Sequence, residues 1–137
     1  MKYRSKFEAR VAQSLKDRGC AFSYELYTYD YSVPLPKRSA RCMTCGGQAE
    51  TTQKYTPDFL LENGITIETK GYFKAEHRKT YKAFVEQHPD VDFRLVFMAD
   101  SKIHRKGDNR YSDWCKANGF KYAIKDIPDE WIKEPEK

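Results

Sequence analysis

Pro57-Asp58-Phe59-Leu60-Leu61-Glu62-Asn63-Gly64-Ile65-Thr66-Ile67-Glu68-Thr69-Lys70-Gly71 is the stretch from which the fold can be read. Two apolar, β-forming runs flank an Asn-Gly turn, which is a hairpin signal. Side chains alternate along a strand, so Glu68 and Lys70 share a face with Thr66, and Ile65 and Ile67 point the other way, into a core. Turn length decides where Asp58 falls. A two-residue turn at Asn63-Gly64 sets Asp58 opposite Thr69. A three-residue loop, Glu62-Asn63-Gly64, pairs Leu61 with Ile65 and sets Asp58 opposite Glu68. The longer loop wants a left-handed third residue, which Gly64 supplies, and it is the register expected here.

That register puts two carboxylates and one ammonium on one face of a short hairpin. Adjacent carboxylates repel unless a cation sits between them. Oxygen ligands of this kind suit a hard divalent ion that keeps some of its waters, Mg2+ first and Mn2+ as a substitute. A lysine beside such an ion can orient a water or stabilise developing negative charge. Asp58, Glu68 and Lys70 are thus the parts needed for metal-assisted phosphodiester hydrolysis. The alternative is plain: Glu68 and Lys70 as solvated strand residues, and Asp58 as a turn former after Pro57.

Length and composition set the frame. The 137 residues form one expected domain with a single core, 1–137. Charged residues reach 33% against 39% apolar, as in a water-soluble globular chain, and the net charge of +5 permits a polyanionic partner without naming one. No apolar run is long enough to span a membrane, so no membrane partner is expected. The N-terminus has no signal-like apolar core, which makes the cytoplasm the expected compartment. There thiols stay reduced, and the four cysteines point to burial or metal rather than disulfides.

Working outward, Ser5–Arg18 is predicted helical, with Phe7, Val11 and Leu15 on one stripe, a Ser5–Glu8 capping box and Gly19 at the end. Glu8 is either a cap partner or a carboxylate leaning over a sheet edge. Cys20–Val33 reads as one strand rich in aromatics. Pro34–Lys54 reads as irregular, and an insert at about 35–53 carries the basic run Lys37, Arg38 and Arg41. It also carries Cys42-Met43-Thr44-Cys45, half of a zinc knuckle. Cys20, Cys115, His77, His88, His104 or a second subunit's cysteine pair would have to complete that site. Tyr72–His88 is a predicted helix with Arg78 and Lys79 on a basic side. Asp92–Ala99 is a buried central strand. The loop after it holds Lys102, Arg105 and Lys106. A short helix at about 109–118, a strand at 120–124 and a terminal turn that packs Trp131 and Ile132 complete the chain. The basic residues are either solvated loops or contacts to a phosphate backbone.

Pro57-Asp58, nine residues, then Glu68-Thr69-Lys70 resembles the motif of the PD-(D/E)xK nuclease superfamily. The longer segments Tyr55–Leu61, Glu68–Gly71, Glu86–Pro89, Arg94–Phe97 and Glu130–Pro135 are similar to the bacteriophage endonuclease I family, Holliday-junction resolvases of T-seven-like phages. The resemblance implies an α/β, restriction-endonuclease-like core with a mixed sheet flanked by helices, in a domain-swapped homodimer. It implies Mg2+-dependent cleavage of branched DNA in the infected bacterial host. It places the metal on Asp58, Glu68 and the Thr69 backbone carbonyl, with Lys70 catalytic. It also makes Glu8, supplied across subunits, a ligand of a second ion shared with Asp58. The insert carrying Cys42 and Cys45 departs from the family's short connection, and a structural Zn2+ is the expectation it raises. Two other functions use the same residues: a nicking, homing or restriction-type endonuclease on linear duplex, and a non-catalytic nucleic-acid-binding module.

Overall fold

The computed structural model describes residues 2–34 and 50–136. Five strands form the main sheet: β1 (Phe22–Tyr24), β4 (Phe59–Leu61), β5 (Ile65–Lys70), β6 (Asp92–Phe97) and β7 (Lys121–Ile124), side by side in that order. The first two junctions are antiparallel, and β5–β6 and β6–β7 are parallel. β2 (Tyr29–Pro34) and β3 (Glu50–Tyr55) form a separate antiparallel pair. This is a mixed α/β architecture with a central mixed sheet, and β5, which carries Glu68 and Lys70, lies at its middle.

The expected hairpin register holds. Phe59 pairs with Ile67 and Leu60 with Thr66, which aligns Leu61 with Ile65. Gly64 has φ +92°, and its N–H donates to the Leu61 carbonyl at 2.9 Å, closing the three-residue loop.

Helices cover both faces. α1 (Lys6–Asp17) buries Phe7, Val11, Ala12 and Leu15 with Ile65, Ile67 and Val96. α2 (Ala75–Gln87) and α3 (Tyr111–Asn118) bury Tyr81, Phe84, Tyr111 and Cys115 with Leu95 and Phe97 on the other side. β6 is therefore apolar on both faces, as its unbroken Leu95-Val96-Phe97 run requires. α2 begins three residues later than the spacing predicts, because Phe73 turns into the core and its carbonyl accepts from Arg78 Nη1 at 2.8 Å.

Two expectations are corrected. Cys20–Val33 is not one strand. Glu25 takes φ +51° and its N–H donates to the Asp58 carbonyl at 2.8 Å, so β1 stops and the chain leaves for the second sheet. Nor is all of Pro34–Lys54 irregular: Pro34 ends β2 and residues 50–54 belong to β3. The β2–β3 pair rests on α2, with the Tyr29 and Tyr55 rings 5.1 and 5.0 Å from Phe84. The short helix α4 (Asp129–Ile132) packs Trp131 and Ile132 on the α1-side core, as expected. None of the helices is long and apolar enough to cross a membrane, among the described residues.

Candidate active site

A cleft of about 410 Å³ opens where β5, the approach to β4, α1 and α2 meet, and Glu8, Asp58, Glu68, Thr69 and Lys70 all line it. Ile65 and Ile67 are committed to the α1-side core. Strand alternation therefore sends Glu68 and Lys70 to the α2 side.

Glu68 is 5% exposed and accepts three hydrogen bonds. Its Oε1 accepts from the Tyr55 hydroxyl at 2.6 Å and from the Asp58 N–H at 3.3 Å. Its Oε2 accepts from the Tyr81 hydroxyl at 2.9 Å, and Lys70 Nζ lies 3.7 Å from it. Burial, then the Asp58 charge, push the Glu68 carboxyl up to about 8, against the opposing pull of Lys70 and the two phenols.

Asp58 sits at a bend just ahead of β4, 7% exposed. It aligns with Glu68 as the register requires, but the bend turns its carboxylate toward Thr69. Oδ2 accepts from the Thr69 N–H at 2.9 Å and from the Thr69 hydroxyl at 2.6 Å. Burial raises this carboxyl to about 6, the Thr69 bonds oppose the shift, and the Glu8 charge adds to it. Each of the two carboxylates is thus held in a place that disfavours its charge.

Glu8 resolves its two readings by doing both. Its N–H donates to Ser5 Oγ at 3.1 Å, the expected helix cap. Its side chain is 8% exposed in the cleft, where Tyr24 donates to one carboxylate oxygen and Ser5 Oγ to the other. The resemblance implies a Glu8 brought from a partner subunit. In the described chain Glu8 lines the same cleft as Asp58, because α1 packs on the sheet that carries the hairpin.

As a metal site, Asp58 and Glu68 provide carboxylate oxygens on adjoining segments, with the Thr69 backbone between Glu68 and Lys70. Among the described residues no three His, Cys, Asp or Glu side chains are gathered as a cage. Two carboxylates suit Mg2+, which keeps several waters and takes one or two carboxylates. Their crowding and desolvation are what a divalent cation would relieve. The donor set fits the ion.

Other predicted residues are distributed as follows. Lys37, Arg38, Arg41, Cys42 and Cys45 lie outside the described residues. Cys20 and Cys115 are buried in opposite core clusters, where burial pushes Cys115 up to about 12. His77 Nδ1 accepts from the Lys74 N–H at 3.1 Å, and His88 Nε2 pairs with the Asp30 carbonyl at 2.7 Å. Arg78 is drawn back to the Phe73 carbonyl and stacks 5.7 Å from the Phe73 ring. Lys79, Lys102, Arg105 and Lys106 are exposed. The cleft's own additional cations are Arg4 and Lys54, which no motif singled out. Tyr24, Tyr55 and Tyr81 were also missed as site residues. Tyr55, two residues before Pro57, had the one usable signal, since a phenol beside a buried carboxylate is a natural donor.

The chain is 38% identical over 136 residues to "Endonuclease I" of Escherichia phage T7, an alignment that covers 98% of this chain and 81% of that protein. It is 39% identical over 136 residues to "Endodeoxyribonuclease 1" of Enterobacteria phage T3, covering 98% and 80% respectively. The family model described as phage endonuclease I matches residues 1–137. A likeness that runs from end to end, through the helix of Glu8 and the hairpin of Asp58, Glu68 and Lys70 alike, makes this chain a member of the phage endonuclease I family of nucleases.

Proposed function

We propose that this protein is a Mg2+-dependent DNA endonuclease that resolves four-way junctions and other branched DNA by phosphodiester hydrolysis. The observation that carries this reading is the single cleft holding Asp58, Glu68, Lys70 and Glu8. The mixed sheet with its carboxylates at the β4–β5 hairpin is taken as a restriction-endonuclease-like core.

Asp58, Glu68 and the Thr69 carbonyl would hold Mg2+ or Mn2+, and Glu8 would share a second ion with Asp58. When bound, the metal supplies Lewis-acid polarisation of the phosphate and acidifies a water. Around it the chain's own groups divide the work. Tyr55 and Tyr81 fix both oxygens of Glu68, and Thr69 fixes one oxygen of Asp58. Lys70, next to Glu68, orients the attacking water and sets an ammonium against the negative charge that grows on the phosphoryl oxygens. The water oxygen bonds to phosphorus and gives up one proton to solvent as the bond to the leaving deoxyribose oxygen breaks, and that oxygen takes a proton from solvent. Arg4 and Lys54, ion-paired with Glu25 and Asp30, line the cleft and would exchange those partners for the DNA backbone.

Cutting both strands of a junction calls for two such sites, hence a homodimer. Exchange of the segment up to β2 between protomers would leave every contact in the cleft unchanged and alter only which chain supplies Glu8. Mixing Glu8→Gln and Lys70→Ala protomers separates the cases. Recovered cleavage means exchange; an inert mixture means that each site comes from one chain. Structural zinc at Cys42 and Cys45 would show as more than about half an equivalent of bound metal per chain in protein purified without added zinc.

The central test is competition between a four-way junction and linear duplex, in Mg2+ and in EDTA. Preferential, EDTA-sensitive cutting of the junction is expected. Equal cutting of duplex moves the assignment to a restriction- or nicking-type enzyme, and Mg2+-independent binding without cleavage moves it to a non-catalytic module.

A further inference from the structure

Immediately beyond the cleft stands an aromatic side chain that nothing in the fold requires. Tyr72 follows Lys70 and Gly71 at the end of β5 and is 69% exposed, the most exposed large apolar side chain among the described residues. Its neighbour Phe73 is 1% exposed and anchors the turn into α2, so Tyr72 is held outward by the burial of the next residue. Lys74 Nζ lies 5.7 Å from the Tyr72 ring centre. The backbone there is tied down: the Met98 N–H donates to the Lys70 carbonyl at 3.0 Å. Met98 is itself 42% exposed, and its Cε would stand 3.7 Å from a Cβ at Gly71. A flat ring, a thioether and an ammonium thus lie along one stretch of surface next to Lys70, which lines the cleft.

An exposed aromatic face with an ammonium beside it, next to a polyanion site, matches a ligand that is flat, apolar on its face and negatively charged nearby. A nucleobase with its phosphates has those properties. In linear duplex every base face is covered by its neighbour. At a branch point or a strand discontinuity the stack is interrupted and a face becomes available. We infer that Tyr72, backed by Lys74 and Met98, is a stacking platform for an unstacked nucleobase next to the cut phosphodiester, and that it contributes to the choice of branched over linear DNA. The inference rests on the proposed nuclease reading and adds to it the feature of the substrate that is recognised.

The experiment measures binding of the intact protein, in EDTA so that no cleavage occurs, to a four-way junction and to linear duplex of the same length. The junction carries 2-aminopurine at the nucleotides flanking the mapped cut. With the wild type, junction binding should quench one of these probes. Tyr72→Ala should lose the quench and bind the junction about 5- to 100-fold more weakly, while duplex affinity stays within twofold. Tyr72→Phe and Tyr72→Trp, which keep a ring, should behave as wild type; Tyr72→Leu, apolar without a ring, should resemble the alanine variant. Equal weakening for both DNAs, or an unchanged quench in Tyr72→Ala, overturns the platform and leaves the nuclease reading standing. A wild type that binds neither DNA overturns both, and because that is read on the unmutated chain the two failures are distinguishable.

Discussion

Tyr81 reaches across from α2 to donate its hydroxyl to Glu68 Oε2 at 2.9 Å, and Tyr55 does the same for Oε1 at 2.6 Å. Both phenols are held well above their ordinary pKa by burial and by the Glu68 charge, so each remains a donor. The carboxylate most central to the cleft is therefore oriented by residues of the second sheet and of α2, neither of which belongs to the hairpin.

Tyr81→Phe removes one of these donors without changing the ring that packs between Phe73 and Phe93. The loss of a hydrogen bond to a buried carboxylate should lower stability by about 1.5–3 kcal/mol. With Glu68 less constrained, kcat should fall about tenfold while KM for DNA changes little. Urea denaturation and steady-state cleavage report the two effects separately, and an unchanged kcat would assign Tyr81 a packing role alone.

Lys70→Ala takes away the ammonium beside Glu68. Junction binding should remain within about threefold of wild type, since other cations at the cleft meet the backbone, and cleavage should drop by about 10²–10⁴. Filter binding in EDTA and single-turnover cleavage in Mg2+ test this. Cleavage at the wild-type rate would remove Lys70 from the chemistry.

Stability of the metal-free protein should fall as pH rises. Glu68 and Asp58 hold their protons more tightly when folded, to about 8 and about 6 against ordinary values of 4.5 and 3.8. Protonation therefore favours the folded state. That contribution is complete below about pH 4 and is lost as pH climbs through 6 for Asp58 and 8 for Glu68. In EDTA, the urea midpoint should decrease from pH 5 to pH 9, and Glu68→Gln should flatten the upper part of the curve. Added Mg2+ should recover stability most at high pH, where the carboxylates are charged. A midpoint that climbs over this range would contradict the assignment.

Arg94 has no exposed surface, and its guanidinium bridges Asp92 on its own strand and Glu134 in the C-terminal segment while lying 5.1 Å from the Trp131 ring. Arg94→Ala removes the buried guanidinium that ties β6 to the C-terminal segment and should cost about 3–5 kcal/mol. Arg94→Lys should rescue little, because an ammonium cannot fork to both acids. Asn63, in the hairpin loop, donates to the Trp131 and Glu134 carbonyls at 2.8 and 3.2 Å, and Asn63→Ala should cost a further share, about 1–3 kcal/mol. Thermal unfolding followed by circular dichroism measures all three.

Much of the site could be read from the order of residues, because its central part is local. The Glu62-Asn63-Gly64 loop and strand alternation determine by themselves that Asp58 aligns with Glu68 and that Glu68 and Lys70 share a face. Ser5 and Glu8 likewise determine a helix start. Family likeness extends the same hairpin to a nuclease. What tertiary packing alone decided is everything that arrives from a distance. Tyr81 and Tyr55 come to Glu68 only because α2 and the β2–β3 pair close over one face of the sheet. Glu8 comes to Asp58 only because α1 closes over the other. The bend at Asp58 is tied by its carbonyl to the Glu25 N–H, at a left-handed break that no alternation pattern announces. Periodicity encodes which way a side chain points from its own element; which element it then meets is settled by the burial of the apolar faces behind it.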